Sequence, residues 1–537
     1  MSVIKIKIFD VATGDIVEEQ NDAVVKKLKS ATVVQQKKLL DYLMTGVNQD
    51  KYFTDDADID NDTMDLFYRF VGGTQKDVDF LIRALVYSRE NSVSPQFSIL
   101  GLVILSTLQD QGFDFDKIFN RIVKNIDDLF VFANIINMKL VRGFGRRVRQ
   151  SMANKLKELT PYDAIKYSVI QRTRPMSGAR SDSLNLGDIL KLSHTMPQND
   201  EQNEMFKWIF RKSYDQNKVP ELIRLFEKIR VTSENDETTK IVKEHAFPFE
   251  VIYPSFSRAE AWRGIYLHSN IETIVDNIKT FKKKHIFTDP DCISYTVSLF
   301  TDIKIIRQAK LMPDKLMRVY DILQDESSII LFAVEKAIEM SYINLPEINK
   351  DITFMLDSSS GMKSLDRVPV TQSLTYETDG AILASVMGKA CTKMKVLTFA
   401  DKVYDYDVDP ARSTIAISNG ITQFDVGAGG NIRDYCRPVT HILEEKYKTD
   451  VIVMFTGTNS LLNIFRDETN SMTLTNYINT VNPEVKMLFV TNSGDSHNHS
   501  LNNLTLVSRW NNNTIKYLFY KLSDDKDIME QVSSISL

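Results

Sequence analysis

Asp351–Met362 reads DITFMLDSSSGM. Residues 351–356 are a short, largely apolar run that stops at Asp357 and breaks into hydroxyls and a glycine. Such a run predicts a strand buried on both faces, with a polar loop at the carboxyl end where α/β sheets hold their ligands. Four further runs share the character: MKVLTFA (394–400), TDVIVMFT (449–456), VKMLFVT (485–491) and TIKYLFY (514–520). Helix-periodic stretches separate them, among them DGAILASVMGKACTK (379–393) and CRPVTHILEEKY (436–447). The alternation predicts a doubly wound, Rossmann-like α/β domain over residues 348–537.

Upstream the pattern is different. Residues 3–9 and 15–18 flank ATGD and predict a β-hairpin within residues 1–20. From 21 to 347 helical periodicity takes over. In TQKDVDFLIRALVYS (74–88), Thr74 and Asp77 form a capping-box pattern ahead of an apolar stripe. In SRAEAWRGIYL (257–267), Ser257 and Glu260 repeat it, and in MPDKLMRVYDIL (312–323) Pro313 suits a first helical position. Short helices in series predict stacked pairs in an irregular α-solenoid.

The chain has 537 residues, too many for one hydrophobic core. It is 43% apolar and 26% charged, with net charge −5, so any polyanion-binding surface must be local. Cys292, Cys391 and Cys436 are far apart and suggest no disulfide framework, so a reducing compartment, the cytoplasm, is expected. No run approaches the length of a membrane span, and no membrane partner is expected.

In an ordered set of stretches the chain resembles the Ro autoantigen family, the TROVE-module proteins. FMLDSSSGM (354–362) sits where that family reads close to D-x-S-x-S-M, and LTFAD (397–401) resembles its next strand. GAGGN (427–431) lies where G-G-T is usual and VIVMFTGTNS (451–460) where F-T-D is usual. RGFGRRVRQSMANKL (142–156) is similar to the W-G-R-x-x-R helix, and DILKLSHTMP (188–197) to D-L-L-R-L-S-H-x-K-P. AEAWRGIYL (259–267) and IIRQAKLMPDKLMRVYDIL (305–323) follow in the family's order. The resemblance implies a ring of HEAT-like helical repeats (21–347) closed by a von Willebrand factor A domain (348–537). It also implies small noncoding RNA on the outer face and RNA ends in the central hole.

The A-domain metal site of such proteins needs an aspartate and two hydroxyls from one loop, a threonine from a second and an aspartate from a third. Asp357 and Ser359 are present. Gly361, Asn431 and Gly457 stand at the other three positions. One formal carboxylate holds a dication poorly unless Asp366 or Asp401 substitutes in space, so a degenerate site is expected, with no metal cofactor and Asp357 capping its own turn. Asp56, Asp58 and Asp60 have EF-hand spacing, but Asn61 replaces the turn glycine and Phe67 the closing glutamate, which predicts an exposed acidic loop.

From Met138 to Pro197 there are twelve Lys and Arg against four Asp and Glu, a local +8 that leaves −13 for the rest. Lys139, Arg142, Arg146, Arg147, Arg149, Arg172, Arg174, Arg180 and Lys191 are the candidate phosphate contacts, with His194 beside them. Against that reading, a charge run is commonly a solvated helix face, and His194 suits a helix end. No phosphate-binding glycine loop, nucleophile elbow or H-E-x-x-H pair occurs, so a binding protein rather than an enzyme is expected. Two functions rank above a third, metal-dependent adhesion through the A domain. One is a Ro-like ring that binds small structured or misfolded RNA. The other is a scaffold or virion component that keeps the fold and meets protein partners through the A domain or the hairpin.

Overall fold

The computed structural model describes residues 7–9, 16–18, 31–46, 52–53, 61–92, 94–108, 112–137, 144–173, 184–363, 375–423, 436–457, 468–491, 501, 503–508, 512–523 and 525–537. Strand β1 (Lys7–Phe9) pairs antiparallel with β2 (Ile16–Glu18). Helices then follow one another from Val33 to Ser341, with 3-10 turns between some of them. Each packs on neighbours a few places along the chain, as in a solenoid. Many start on an Asn, Asp or Thr cap with acids in the first turn, as at Asn125, Asn199 and Asn235. These residues satisfy the free N–H groups and the positive end of the helix dipole. Thr74 and Asp77 form the expected capping box. Ser257 does not: its hydroxyl donates to Glu234 at 2.6 Å, and the helix Ala259–Leu267 starts without a side-chain cap.

The α/β part is built on a seven-stranded sheet in the order β3-β9-β8-β7-β4-β5-β6. These strands are β3 (Tyr52–Phe53), β4 (Ile348–Asp357), β5 (Cys391–Phe399), β6 (Val403–Asp407), β7 (Val451–Thr456), β8 (Lys486–Thr491) and β9 (Leu504–Ser508). All neighbouring pairs are parallel except β5–β6. Alternate residues serve two cores. Phe354, Leu356, Val453 and Phe455 join a core shared with the helical part, while Met355, Ile452 and Met454 face a second core under helices Arg437–Glu444 and Glu468–Thr480. Burial on both faces is why these strands read as unbroken apolar runs.

Three features differ from the sequence reading. TIKYLFY lies in a helix, Asn512–Leu522, rather than a strand. The sheet gains β6 and β9. It also gains β3, a two-residue strand contributed by the helical half and paired to β9.

Both ends of the solenoid meet the α/β part. At one end, helix Asn512–Leu522 packs on Val33–Thr45 and helix Asp525–Ser534 on Gln75–Asn91. Asp41 accepts from the Tyr520 hydroxyl at 2.9 Å, and Arg83 Nε donates to the Ile535 carbonyl at 3.1 Å. At the other end, helix Pro313–Leu323 packs on Tyr376–Ala390. There Arg318 pairs with the fully buried Asp379 at 2.8 Å. Lys310 Nζ also bonds the Glu90 carbonyl at 2.7 Å, so the turn after helix Ile303–Gln308 touches the early helix Gln75–Asn91 directly. No described helix is long and apolar enough to cross a membrane.

Candidate nucleic-acid interface

Helix Arg146–Lys157 carries the centre of the basic stretch. It breaks the capping habit of its neighbours. Its N-cap is Gly145, which supplies no side-chain bond, and its first turn holds no acid. A Cβ placed on Gly145 would meet nothing within 4 Å among the described residues. Val148, Ser151, Met152 and Leu156 anchor the inner face. Arg146 and Arg149 are exposed, and neither forms a side-chain ion pair or hydrogen bond among the described residues. Two free guanidiniums at a bare helix N-terminus gather positive potential and unsatisfied N–H donors at one place.

Arg147 points the other way. Its guanidinium donates to the Leu108 carbonyl at 2.6 Å and lies over the rings of Phe115 and Phe113, 4.7 and 5.7 Å from their centroids. It fastens the helix to the start of helix Phe115–Ile122 and the segment before it, which removes it from the exposed set. Phe144, which stands where the Ro family has tryptophan, is buried.

Helix Leu186–Leu192 packs against Arg146–Lys157. His194 ends it as a cap residue: φ is +55°, its N–H bonds the Lys191 carbonyl, and the next N–H reaches Leu190. This hydrogen-bond pattern closes a helix C-terminus, and the His194 side chain remains exposed. Lys191 is exposed too, its Nζ 5.4 Å from the centre of the Phe210 ring. Lys212 lies 5.7 Å from that same ring, and Arg211 between them is exposed at a second positive-φ helix end. Lys191, Phe210 and Arg211 line one cleft of about 470 Å³ with Asp188. Phe210, Arg211 and Lys212 escaped the sequence reading because they lie beyond the dense basic run. The signal that could have found them is an aromatic between cations at a helix end. Lys139, Arg142, Arg174 and Arg180 lie outside the described residues, as does the Arg172 side chain.

The second candidate site is at the carboxyl ends of β4 and β7, where strand order reverses. Asp357 is fully buried. One carboxylate oxygen accepts from the Ser359 N–H at 2.9 Å, the other from the buried Thr456 hydroxyl at 2.6 Å. Gly361 and Gly457 bring no side-chain oxygen, and Asn431 lies outside the described residues. Among the described residues the donor set of an A-domain site is reduced to this one carboxylate, and both its oxygens serve protein donors. The Asp56–Asp60 loop also lies outside the described residues. A three-residue group of ligating side chains does gather elsewhere, at Asp405, His441 and Glu445. Lys395 already supplies the positive charge there, 3.1 Å from Asp405 and 2.9 Å from Glu445.

A helical solenoid whose two ends meet a von Willebrand factor A-like α/β unit is the architecture of Ro proteins, and this chain has a Ro-like fold. Among solved structures it is similar to the Ro (RSR) protein of Deinococcus radiodurans, with a TM-score of 0.66. The match covers 90% of this chain and 99% of that one at 14% sequence identity. No family model matches the sequence, and no curated protein does.

Proposed function

We propose that this chain is a ring-shaped RNA-binding protein that grips structured RNA by its phosphates at the helix Arg146–Lys157. The observation that carries the reading is the bare N-terminus of that helix, with no acid in its first turn and two exposed arginines that are unpaired among the described residues. In a chain of net charge −5 such a concentration is costly to the helix and is accounted for by an anionic partner. Lys191, Arg211 and Lys212 around Phe210 extend the surface with a ring on which a base can stack. Contacts of this kind recognise shape and backbone rather than sequence. The proposed role is binding, and burial pushes both the Cys292 and the Cys391 thiols up to about 12, far from the range of a nucleophile. Filter binding of structured small RNA across a salt series tests the proposal.

The A domain serves as a closing element without a resident metal. Titration calorimetry with manganese is expected to give no saturable heat. A binding isotherm abolished by Asp357→Ala would refute that expectation.

A second reading, as a scaffold, is favoured by one observation. Ile329 and Phe332 are 59% and 57% exposed one turn apart on helix Ser328–Ser341, and Ile303 is 45% exposed on the helix packed against it. Light scattering after size exclusion separates the two. A nucleic-acid-free assembly favours the scaffold, and a particle absorbing strongly near 260 nm (a generic nucleic-acid signature) favours RNA.

A further inference from the structure

The seam where the chain closes on itself contains a cleft of about 690 Å³. Three separate regions build it: the early helices, the end of the solenoid and the last helices. Its lining carries four cations, Arg307, Lys310, Lys350 and Lys516, against Glu90 and Glu347. Both acids are exposed.

Lys516 is the unusual member. It is half-buried, and among the described residues it makes no hydrogen bond and no ion pair. Burial, then the Lys310 ammonium, holds its pKa below the usual lysine range, with Asp314 opposing and Lys315 assisting. Burial lowers Lys310 as well, with Glu90 opposing and Arg89 and Lys124 assisting. An ammonium withdrawn from water beside a second one, without an acid bonded to it, costs stability. Folding alone gives no reason to keep it, whereas an anion in the cleft does.

The rest of the wall sets the kind of anion. Met44, Met312 and Phe519 offer apolar surface, and Tyr87 and Tyr520 add aromatic edges. The volume far exceeds a bare phosphate and falls within the usual range for organic ligands. We propose that this cleft binds a small organic phosphate, with Lys516 and Lys310 on the phosphoryl group and the apolar wall on its carbon body. A ligand here touches all three regions of the seam, so it also fastens the closure. This site is separate from the arginines of helix Arg146–Lys157 and does not depend on the RNA reading.

Ribose 5-phosphate is the probe, with ribose as the neutral control, on the full chain. Calorimetry is expected to show saturable binding of ribose 5-phosphate and none of ribose. In thermal melts the phosphate stabilises the protein by mass action, suppressing unfolding about a hundredfold at a hundred times Kd. Lys516→Met is expected to melt higher than the parent without ligand and to lose the response. A merely structural lysine would give the opposite sign for the unliganded protein. Lys310→Met weakens binding about tenfold or more, and Lys516→Arg retains it, so the test survives if one variant fails to fold. No heat and no shift with millimolar ribose 5-phosphate, or an undiminished response in Lys516→Met, overturns the proposal.

Discussion

Replacing Arg146 and Arg149 by alanine moves stability and binding in opposite directions, which makes the double variant a sharp test of the RNA surface. Both side chains are exposed at the start of helix Arg146–Lys157 and unpaired among the described residues, so their loss removes no ion pair or hydrogen bond there. Each is a cation at the positive end of a helix dipole, an unfavourable placement of about 0.3–1 kcal/mol. Removing both raises stability by about 1 kcal/mol, and alanine's helix propensity adds to the gain. Binding goes the other way. Two phosphate contacts contribute about 1.8 to the slope of log affinity against log salt, at roughly 0.9 each. Between 50 and 200 mM salt, a fourfold change, they account for about a twelvefold loss of affinity. The variant is therefore expected to bind more weakly at low salt and to lose about twelvefold less over that range. Filter binding at four salt concentrations and a urea titration of the free protein read the two effects. An unchanged salt slope refutes the phosphate contacts. A fall in stability refutes the claim that the two arginines are free of native partners.

Arg147→Ala is the control within the same helix turn. It loses the Leu108 hydrogen bond and the stacking on Phe115, which lowers stability by about 2 kcal/mol in a urea titration and leaves the salt slope of RNA binding unchanged. Arg318→Met strips the guanidinium from the fully buried Asp379 at the joint between solenoid and α/β domain. The expected cost is about 3–5 kcal/mol, seen as a lower urea midpoint. Asp314, on the same helix as Arg318, has its carboxyl held above the usual range by burial, against the pull of Arg318. The folded protein keeps that proton where the unfolded chain has released it. Stability contributed by this group therefore falls as pH rises from 3.8 through the raised value. Asp314→Asn is expected to flatten urea midpoints over that window, and an unchanged pH profile would count against the assignment.

The strands that were legible are those buried on both faces. Residues 352–356 alternate between two cores, so no polar residue interrupts the apolar run except Thr353, which is itself buried. TIKYLFY has the same look over seven residues, yet Ile515, Leu518, Phe519 and Leu522 are buried at the helical spacing of three, four and seven. The residue that settles the period, Leu522, lies just outside the run. Short apolar windows cannot separate a buried strand from a buried helix. Strand β3 was illegible for a different reason: two residues have no periodicity, and Tyr52–Phe53 is a strand only because β9 offers an edge to pair with. The closure of the chain on itself is likewise a property of distant partners, as with Asp41 and Tyr520, which neither local stretch announces.

The basic surface shows the same division between what a local pattern carries and what packing decides. Net charge over residues 138–197 identified the region, because counting cations needs no geometry. It could not rank Arg146, Arg147 and Arg149, which differ by one and three positions on a single helix turn. Arg147 is withdrawn by the Leu108 carbonyl and the rings of Phe113 and Phe115, contacts made through space with a segment well upstream in the chain. Phe210, Arg211 and Lys212 enter the surface for the converse reason, since Lys191 lies over the Phe210 ring although the basic run ends before it. What makes an arginine available to a phosphate is the absence of a nearer acceptor, and the folded chain supplies or withholds that acceptor. Comparing Arg147→Ala with Arg149→Ala therefore tests availability itself: equal losses of RNA affinity would mean that the Leu108 contact does not hold Arg147 back.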